Sequence, residues 1–288
     1  MPVYEHACRA TQGARDYQED MAAFLVGPDA TGYGSDEERP FEDGISGESV
    51  PGDDGVGTTA AAPELVAVLA DGMGGHAAGD VASRLVCERF IDVYDATEPG
   101  LTVVERMTVA LEGSNTALAD KVAENPLLSG MGSTLIGTVF GSDGVEWISV
   151  GDSPLYLYRR GEIAPLNADH SLAPELDLLA AAGHMTREAA LSDPRRHMLR
   201  SAVTGEEITM LDVSQQPTTL YPGDYVILAS DGLQTLEPDE IARVIQAYAE
   251  EGPAAVAEAL IRAVEALRAP HQDNATVVAV RPVWDDAD

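Results

Sequence analysis

Short apolar runs and longer stretches of helical period succeed one another along this chain, and their order predicts its architecture. Runs rich in Val, Ile, Leu and Ala, bounded by turn formers, mark strands at residues 3–10, 21–26, 65–70, 133–140, 145–150, 155–159, 208–213, 225–229 and 276–280. Helical spacing covers 77–94, where Val81, Leu85, Val86 and Phe90 share one stripe. It also covers 102–124, where Gly113 weakens the middle. Proline near the first turn opens three further helices, at 174–182, 238–249 and 253–267. Strands that follow one another through tight turns, without helical crossovers, imply antiparallel pairing. The expected fold class is therefore α+β, with two antiparallel sheets forming a central sandwich flanked by helices in α-β-β-α layers.

One stretch breaks the pattern. Residues 28–63 are rich in Gly, Asp, Glu, Ser and Thr, with few large apolar side chains (Tyr33, Phe41, Ile45, Val50 and Val56). A structureless connection of this length is uncommon inside a compact domain. The flanking strands look incomplete alone, so the stretch reads as an acidic, Gly-rich insertion within a single catalytic domain spanning 1–288.

Composition then narrows the classes. The 288 residues carry 49 acidic against 17 basic side chains, a formal net charge of −32, yet 45% are hydrophobic, enough to build a core. Such a charge argues against nucleic acid or an anionic membrane surface as partner. Two cysteines, Cys8 and Cys87, are too few for a disulfide framework or a zinc site. The N-terminus lacks a basic region followed by an apolar stretch, and no run reaches the ~18 apolar residues a membrane span needs. The expectation is a cytoplasmic chain that acts as a monomer.

The chemistry lies in where certain carboxylates stand. Asp71 ends the run Leu-Val-Ala-Val-Leu-Ala and precedes Gly72; Asp231 ends Tyr-Val-Ile-Leu-Ala-Ser and precedes Gly232. Asp152 lies in Val-Gly-Asp-Ser between two strands, Asp273-Asn274 opens the last strand, and Glu19-Asp20 opens the second. If these termini share one edge of the sheets, several carboxylates converge, and like charges at contact distance cannot all stay ionised. Hard divalent cations resolve the conflict, since oxygen-only ligand sets suit Mg²⁺ or Mn²⁺. Gly72, lacking a Cβ, lets its backbone carbonyl approach such an ion. An Asp-Gly pair also commonly marks a plain turn. Asp143-Gly144 and Asp54-Gly55 are read that way, and only the joint pattern separates Asp71 and Asp231 from them.

The run Arg15-Asp16-Tyr17-Gln18-Glu19-Asp20, followed by Asp71-Gly72-Met73-Gly74-Gly75-His76, resembles the metal-dependent Ser/Thr protein phosphatases of type 2C. So do Gly130-Met131-Gly132-Ser133-Thr134, Val150-Gly151-Asp152-Ser153, Asp169-His170-Ser171, Ser230-Asp231-Gly232 and Asp273-Asn274-Ala275-Thr276, in the family's order across nearly the whole chain. The resemblance implies hydrolysis of phosphoserine and phosphothreonine in proteins by a water or hydroxide bridging two Mn²⁺ or Mg²⁺ ions. It implies that Asp71 bridges the ions, the Gly72 carbonyl binds one, and Asp231 and Asp273 bind the other. Asp152 with Asp231 would hold a weaker third ion, and Glu19 and Asp20 would orient metal-bound water. Arg15 would clamp the phosphate and His76 would be the general acid, although His76 could equally cap the helix at 77–94. The implied partners are phosphorylated proteins, substrates of a Ser/Thr kinase.

Some positions depart from the family pattern. Gln18 stands where Asn is usual, and Pro154 replaces the Arg that usually follows Gly-Asp-Ser. Residues 169–207 resemble the family's flap. There His184, Arg187, Arg195, Arg196 and Arg200 could either meet a phosphopeptide or offset nearby acids. Two rival readings fare worse. A catalytically weak, metal-stabilised regulatory or binding module should lack metal carboxylates, and none of Asp71, Asp231 and Asp273 is missing. A serine hydrolase using Ser153 would need a helix after the serine, where Pro154 and a strand follow.

Overall fold

Side-chain alternation along β3 (Leu65–Met73) sets the layering. Leu65, Ala67 and Leu69 point to one face and Val66, Val68 and Ala70 to the other, and all six are buried. A strand buried on both faces must lie between two layers. The computed structural model, which describes residues 1–27, 64–74, 78–98 and 100–284, shows those layers directly.

In chain order the remaining elements are β1 (Val3–Thr11), β2 (Asp20–Val26), α1 (Ala78–Ala96), α2 (Val103–Glu124), β4 (Gly132–Ser133), β5 (Leu135–Gly141) and β6 (Gly144–Val150). Then come β7 (Leu155–Arg159), β8 (Glu162–Pro165), α3 (Ala173–Ala181), α4 (Arg187–Leu191), β9 (Asp212–Val213), β10 (Tyr225–Ala229), α5 (Pro238–Tyr248), α6 (Pro253–Leu267) and β11 (Ala275–Val283). One sheet runs β1-β11-β10-β7-β8 and the other β2-β3-β5-β6-β9, with β4 pairing β3 at its end. Every strand pairing described is antiparallel.

Between the sheets lie Leu65, Ala67, Leu69, Ile136, Phe140, Leu155, Val226, Leu228, Val278 and Val280. The opposite faces of the same strands meet helices. Val66, Val68 and Ala70 pack against Val86, Phe90, Met107 and Leu111 of α1 and α2, while Ile227, Ala229, Val277 and Ala279 pack against Ile241, Ile245, Val256 and Leu260 of α5 and α6. Each Val, Leu, Ile, Phe or Met side chain among them, taken from water, stabilises by roughly 1.5–3 kcal/mol. The α+β sandwich expected from the sequence is the observed architecture.

Details differ for local reasons. The strand expected over 133–140 breaks at Thr134, whose N–H donates to the Asp71 carbonyl (2.9 Å) instead of continuing one ladder. Only Asp212–Val213 of the run 208–213 pairs, with β6. The short edge strand β8 and the one-turn α4 are additional. Gly113 does not interrupt α2: a Cβ there would stand 2.9 Å from Val93, so it permits close helix packing. Helix α2 opens with a reciprocal capping box between Thr102 and Glu105. The insertion at 28–63 lies outside the described residues. The residues on either side of it are tied together, with the Gly27 N–H donating to the Glu64 carbonyl (3.0 Å) and Val26 paired with Leu65.

Candidate metal centre

The segment ends singled out in the sequence meet at one edge of the sandwich, around a cavity of about 740 Å³. Arg15, Glu19, Asp71, Gly72, Asp152, Asp231 and Asp273 all line it. Each arrives from a different place. Asp71 and Gly72 come from the end of β3, Asp152 from the turn between β6 and β7, and Asp231 from the 3-10 turn after β10. Asp273 lies two residues before β11, and Arg15 and Glu19 lie in the connection from β1 to β2.

Asp20 stands apart. It faces Asp71 across the β2–β3 ladder, is buried, and does not line the cavity. Its Oδ2 accepts from the Ser230 hydroxyl (2.7 Å), and its Oδ1 has no partner. His76 lies outside the described residues.

Backbone and hydroxyl contacts hold Asp71 in place. Its N–H donates to Thr134 Oγ1 (2.9 Å), and its carbonyl accepts from the Ser133 hydroxyl (2.9 Å). Thr134 Oγ1 is also 2.7 Å from Ser153 Oγ, which joins the Asp71 strand to the turn carrying Asp152. The Gly72 N–H donates to the Glu19 carbonyl (3.0 Å). From the other side of that turn, His170 Nδ1 accepts from the Gly151 N–H (3.2 Å), so the imidazole backs Asp152 rather than facing the cavity.

Electrostatics tests whether a cation set belongs here. Burial first, then Asp20, Asp231, Asp152 and Asp273, raises Asp71 well above the ordinary carboxylate range. Asp152 is pushed up to about 7 by burial, Asp231 and Asp169, and Asp20 to about 6 chiefly by burial. Burial and then Asp273 raise Asp231 as well, and burial raises Glu19, whose Oε1 is enclosed without a hydrogen-bond partner. The repulsion falls away only if protons or cations enter. The donors are carboxylates and a carbonyl, a hard oxygen set that fits Mg²⁺ or Mn²⁺. Among the described residues, no three His, Cys, Asp or Glu side chains are drawn into a closed ligand set; the carboxylates stand around the cavity walls.

Arg15 is the cation at the cavity mouth. It pairs with Asp273 and lies 4.0 Å from Glu19. From the 169–207 segment His197, Met198 and Leu199 also line the cavity, and a charge on His197 favours ionised Asp231. His197 is a site residue that the sequence reading missed; its only signal was its place among the arginines of 187–200. Those arginines are largely engaged within their own stretch of chain. Arg195 pairs with Asp193 (2.9 Å), Arg196 with Asp177 (2.8 Å) and Arg200 with Glu175 (3.4 Å). Of the two readings offered for them, offsetting local acids describes these three.

Known proteins carry the same frame. Residues 46–275 match the family model described as Protein phosphatase 2C. The serine/threonine protein phosphatase PstP of Mycobacterium tuberculosis is 37% identical over 211 residues, covering 73% of this chain and 39% of PstP. The serine/threonine phosphatase stp of Listeria monocytogenes is 33% identical over 180 residues, covering 60% of this chain and 68% of stp. A solved structure of the PstP catalytic domain, described as a complex with two manganese ions, superposes with a TM-score of 0.70 at 28% identity, covering 99% of this chain and 100% of that one. The S. agalactiae serine/threonine phosphatase superposes with a TM-score of 0.72 at 25% identity, covering 97% and 99%. This chain belongs to the protein phosphatase 2C family. It spans about two fifths of the length of the full PstP protein it matches.

Proposed function

We propose that this chain hydrolyses phosphoserine and phosphothreonine esters in proteins, using two Mn²⁺ or Mg²⁺ ions and a weaker third. In this reading Asp71, the Gly72 carbonyl, Asp231 and Asp273 hold the pair, Asp152 with Asp231 holds the third, and Glu19 orients metal-bound water, a role expected of Asp20 as well but not matched by its place off the cavity lining. Bound there, the ions lower the pKa of a water molecule toward neutrality and neutralise charge on the phosphoryl oxygens.

The protein's own groups do the rest. Arg15 offers a planar fork of N–H donors to two phosphate oxygens and orients the ester. The buried carboxylates alone would repel an anionic phosphate ester; they serve it by holding cations beside the place where it binds. His76 is the proposed donor of a proton to the departing seryl or threonyl oxygen. The supporting observation is the convergence on one cavity of Asp71, Asp152, Asp231 and Asp273 from four distant segments, with Arg15 at its mouth.

The substrates proposed are proteins phosphorylated by a Ser/Thr kinase, met by a monomeric chain in the cytoplasm. No described helix is long and apolar enough to cross a membrane. The direct test is turnover of p-nitrophenyl phosphate and of a phosphothreonine peptide with Mn²⁺, with EDTA, and with Asp231→Asn. The reading requires turnover with Mn²⁺ that is lost on chelation and in the variant. Turnover that survives both would overturn it.

A further inference from the structure

Residues 12–19 carry Arg15 and Glu19, yet they form neither strand nor helix. Arg15 is about half exposed, and its own contacts are ion pairs to Asp273 and Glu19, which leave a long side chain many arrangements. What holds the segment is a residue at the other end of the chain. Asn274 is 4% exposed, and its carboxamide is committed wholly to this segment. Its Nδ2 donates to the carbonyls of Gln12 (2.8 Å) and Tyr17 (3.0 Å), and its Oδ1 accepts the Glu19 N–H (2.8 Å). The three bonds bracket Arg15 on both sides and fix Glu19 directly. The Asn274 N–H donates to Asp273 Oδ1 (2.8 Å), so the same residue also orients a carboxylate of the cavity.

A second contact seats the segment independently. The Ala14 N–H donates to the Gln272 carbonyl (2.8 Å). Gly13 has φ +61°, and a Cβ there would stand 2.6 Å from the Gln272 carbonyl oxygen and would also run into that of Asp273. The backbone of 12–14 therefore lies flush on 272–274.

We propose that Asn274 is a positioning residue for phosphate recognition: it docks the 12–19 segment onto the start of β11 and thereby sets where the Arg15 guanidinium and the Glu19 carboxylate stand. The proposal rests on the phosphatase reading above. Losing the carboxamide takes a donor from the Gln12 and Tyr17 carbonyls and the acceptor from the Glu19 N–H, leaving Gln12 only its long bond from the Arg15 N–H (3.4 Å), so the segment must shift to find water. A misplacement of about 1 Å in a positioning group can cost on the order of 100-fold in rate.

The experiment compares Asn274→Ala, Gly13→Ala, Arg15→Ala and the double variant Asn274→Ala/Arg15→Ala on the full chain with Mn²⁺. Asn274→Ala should lower kcat/KM for p-nitrophenyl phosphate by about 10–100-fold and raise the inhibition constant of inorganic phosphate. The double variant should fall within about twofold of Arg15→Ala alone, because residues that act through one another are not additive. Hydrogen exchange should quicken in 12–19 while β3 and β10 keep their protection. Gly13→Ala, which unseats the same segment without touching the carboxamide, should behave likewise and keeps the test decisive if Asn274→Ala fails to fold. Additive losses, or unchanged exchange over 12–19, would overturn the proposal. If the unsubstituted protein turns over no phosphate ester, the phosphatase reading fails instead, and the exchange measurement still decides whether Asn274 seats the segment.

Discussion

Asp20 and Asp71 stand opposite one another in the β2–β3 ladder, two carboxylates in register at the edge of the sandwich. One is turned inward to the Ser230 hydroxyl and the other lines the cavity. Two acids so placed are a cost to the fold unless something positive comes between them and their neighbours.

The cost has a sign that stability measurements can read. Folding raises Asp152 to about 7 and Asp20 to about 6, above the ~3.9 of an unfolded aspartate. Between about pH 4 and pH 7 the folded, metal-free chain thus binds protons that the unfolded chain has released, so its stability falls as pH rises through that window. In EDTA, Tm should rise as pH is lowered from 7.5 to about 5.5, and Asp152→Asn should flatten the dependence. Stabilisation by Mn²⁺ should be largest at the upper end. A Tm in EDTA that is constant or falls on acidification would contradict this account.

Asp71→Asn removes the carboxylate that four other acids repel. The metal-free variant should melt higher than the parent while binding Mn²⁺ at least tenfold more weakly by calorimetry. A variant that is both less stable and unimpaired in Mn²⁺ affinity would show that Asp71 is an ordinary structural aspartate.

Thr134→Val keeps the shape but deletes the hydroxyl that accepts from Asp71 and meets Ser153. A loss of about 1–3 kcal/mol in urea unfolding is expected, as for other buried polar groups left unpaired. Weaker Mn²⁺ binding should accompany it, since the Asp71 strand and the Asp152 turn lose their link. Thr134→Ser should restore both quantities.

Asp224 gives a contrasting case away from the cavity. It is buried, and it accepts from Arg159 Nε and Nη2 and from the Tyr221 N–H at 2.7–3.1 Å. Asp224→Ala should destabilise by about 1–3 kcal/mol, chiefly through the donors it strands. Turnover per folded molecule at low temperature should stay unchanged. Loss of kcat in a fully folded sample would mean that the β10 turn reaches the cavity in a way not described above.

Much of this was legible in the chain because a strand end is easy to read. Apolar runs that stop at Asp-Gly announced Asp71 and Asp231, and the helices opened by Pro238 and Pro253 begin at those residues. What escaped depends on tertiary contact. The apolar run through 133–140 hides the break at Thr134, because the competing partner, the Asp71 carbonyl, is 63 residues away. Ile208 joins the helix-side core instead of extending β9. The edge strand β8 is short and ends in proline, and α4 is too short to show a period. His197 carries no pattern of its own, and Asp20 looked identical to its neighbour Glu19 until burial separated them.

Gly13, Gly72 and Gly232 share a property with implications for how such a chain can change over time. At each, an added methyl would meet main-chain oxygen, from Asp273, Gly79 and Asn274 respectively. Main chain cannot swing aside as a side-chain rotamer can, so these three crossings, of which Gly72 lines the cavity itself, tolerate no added side chain. Change over time is thereby channelled to exposed positions of the cavity lining, where Tyr17 and Met198 can be exchanged without disturbing the frame beneath.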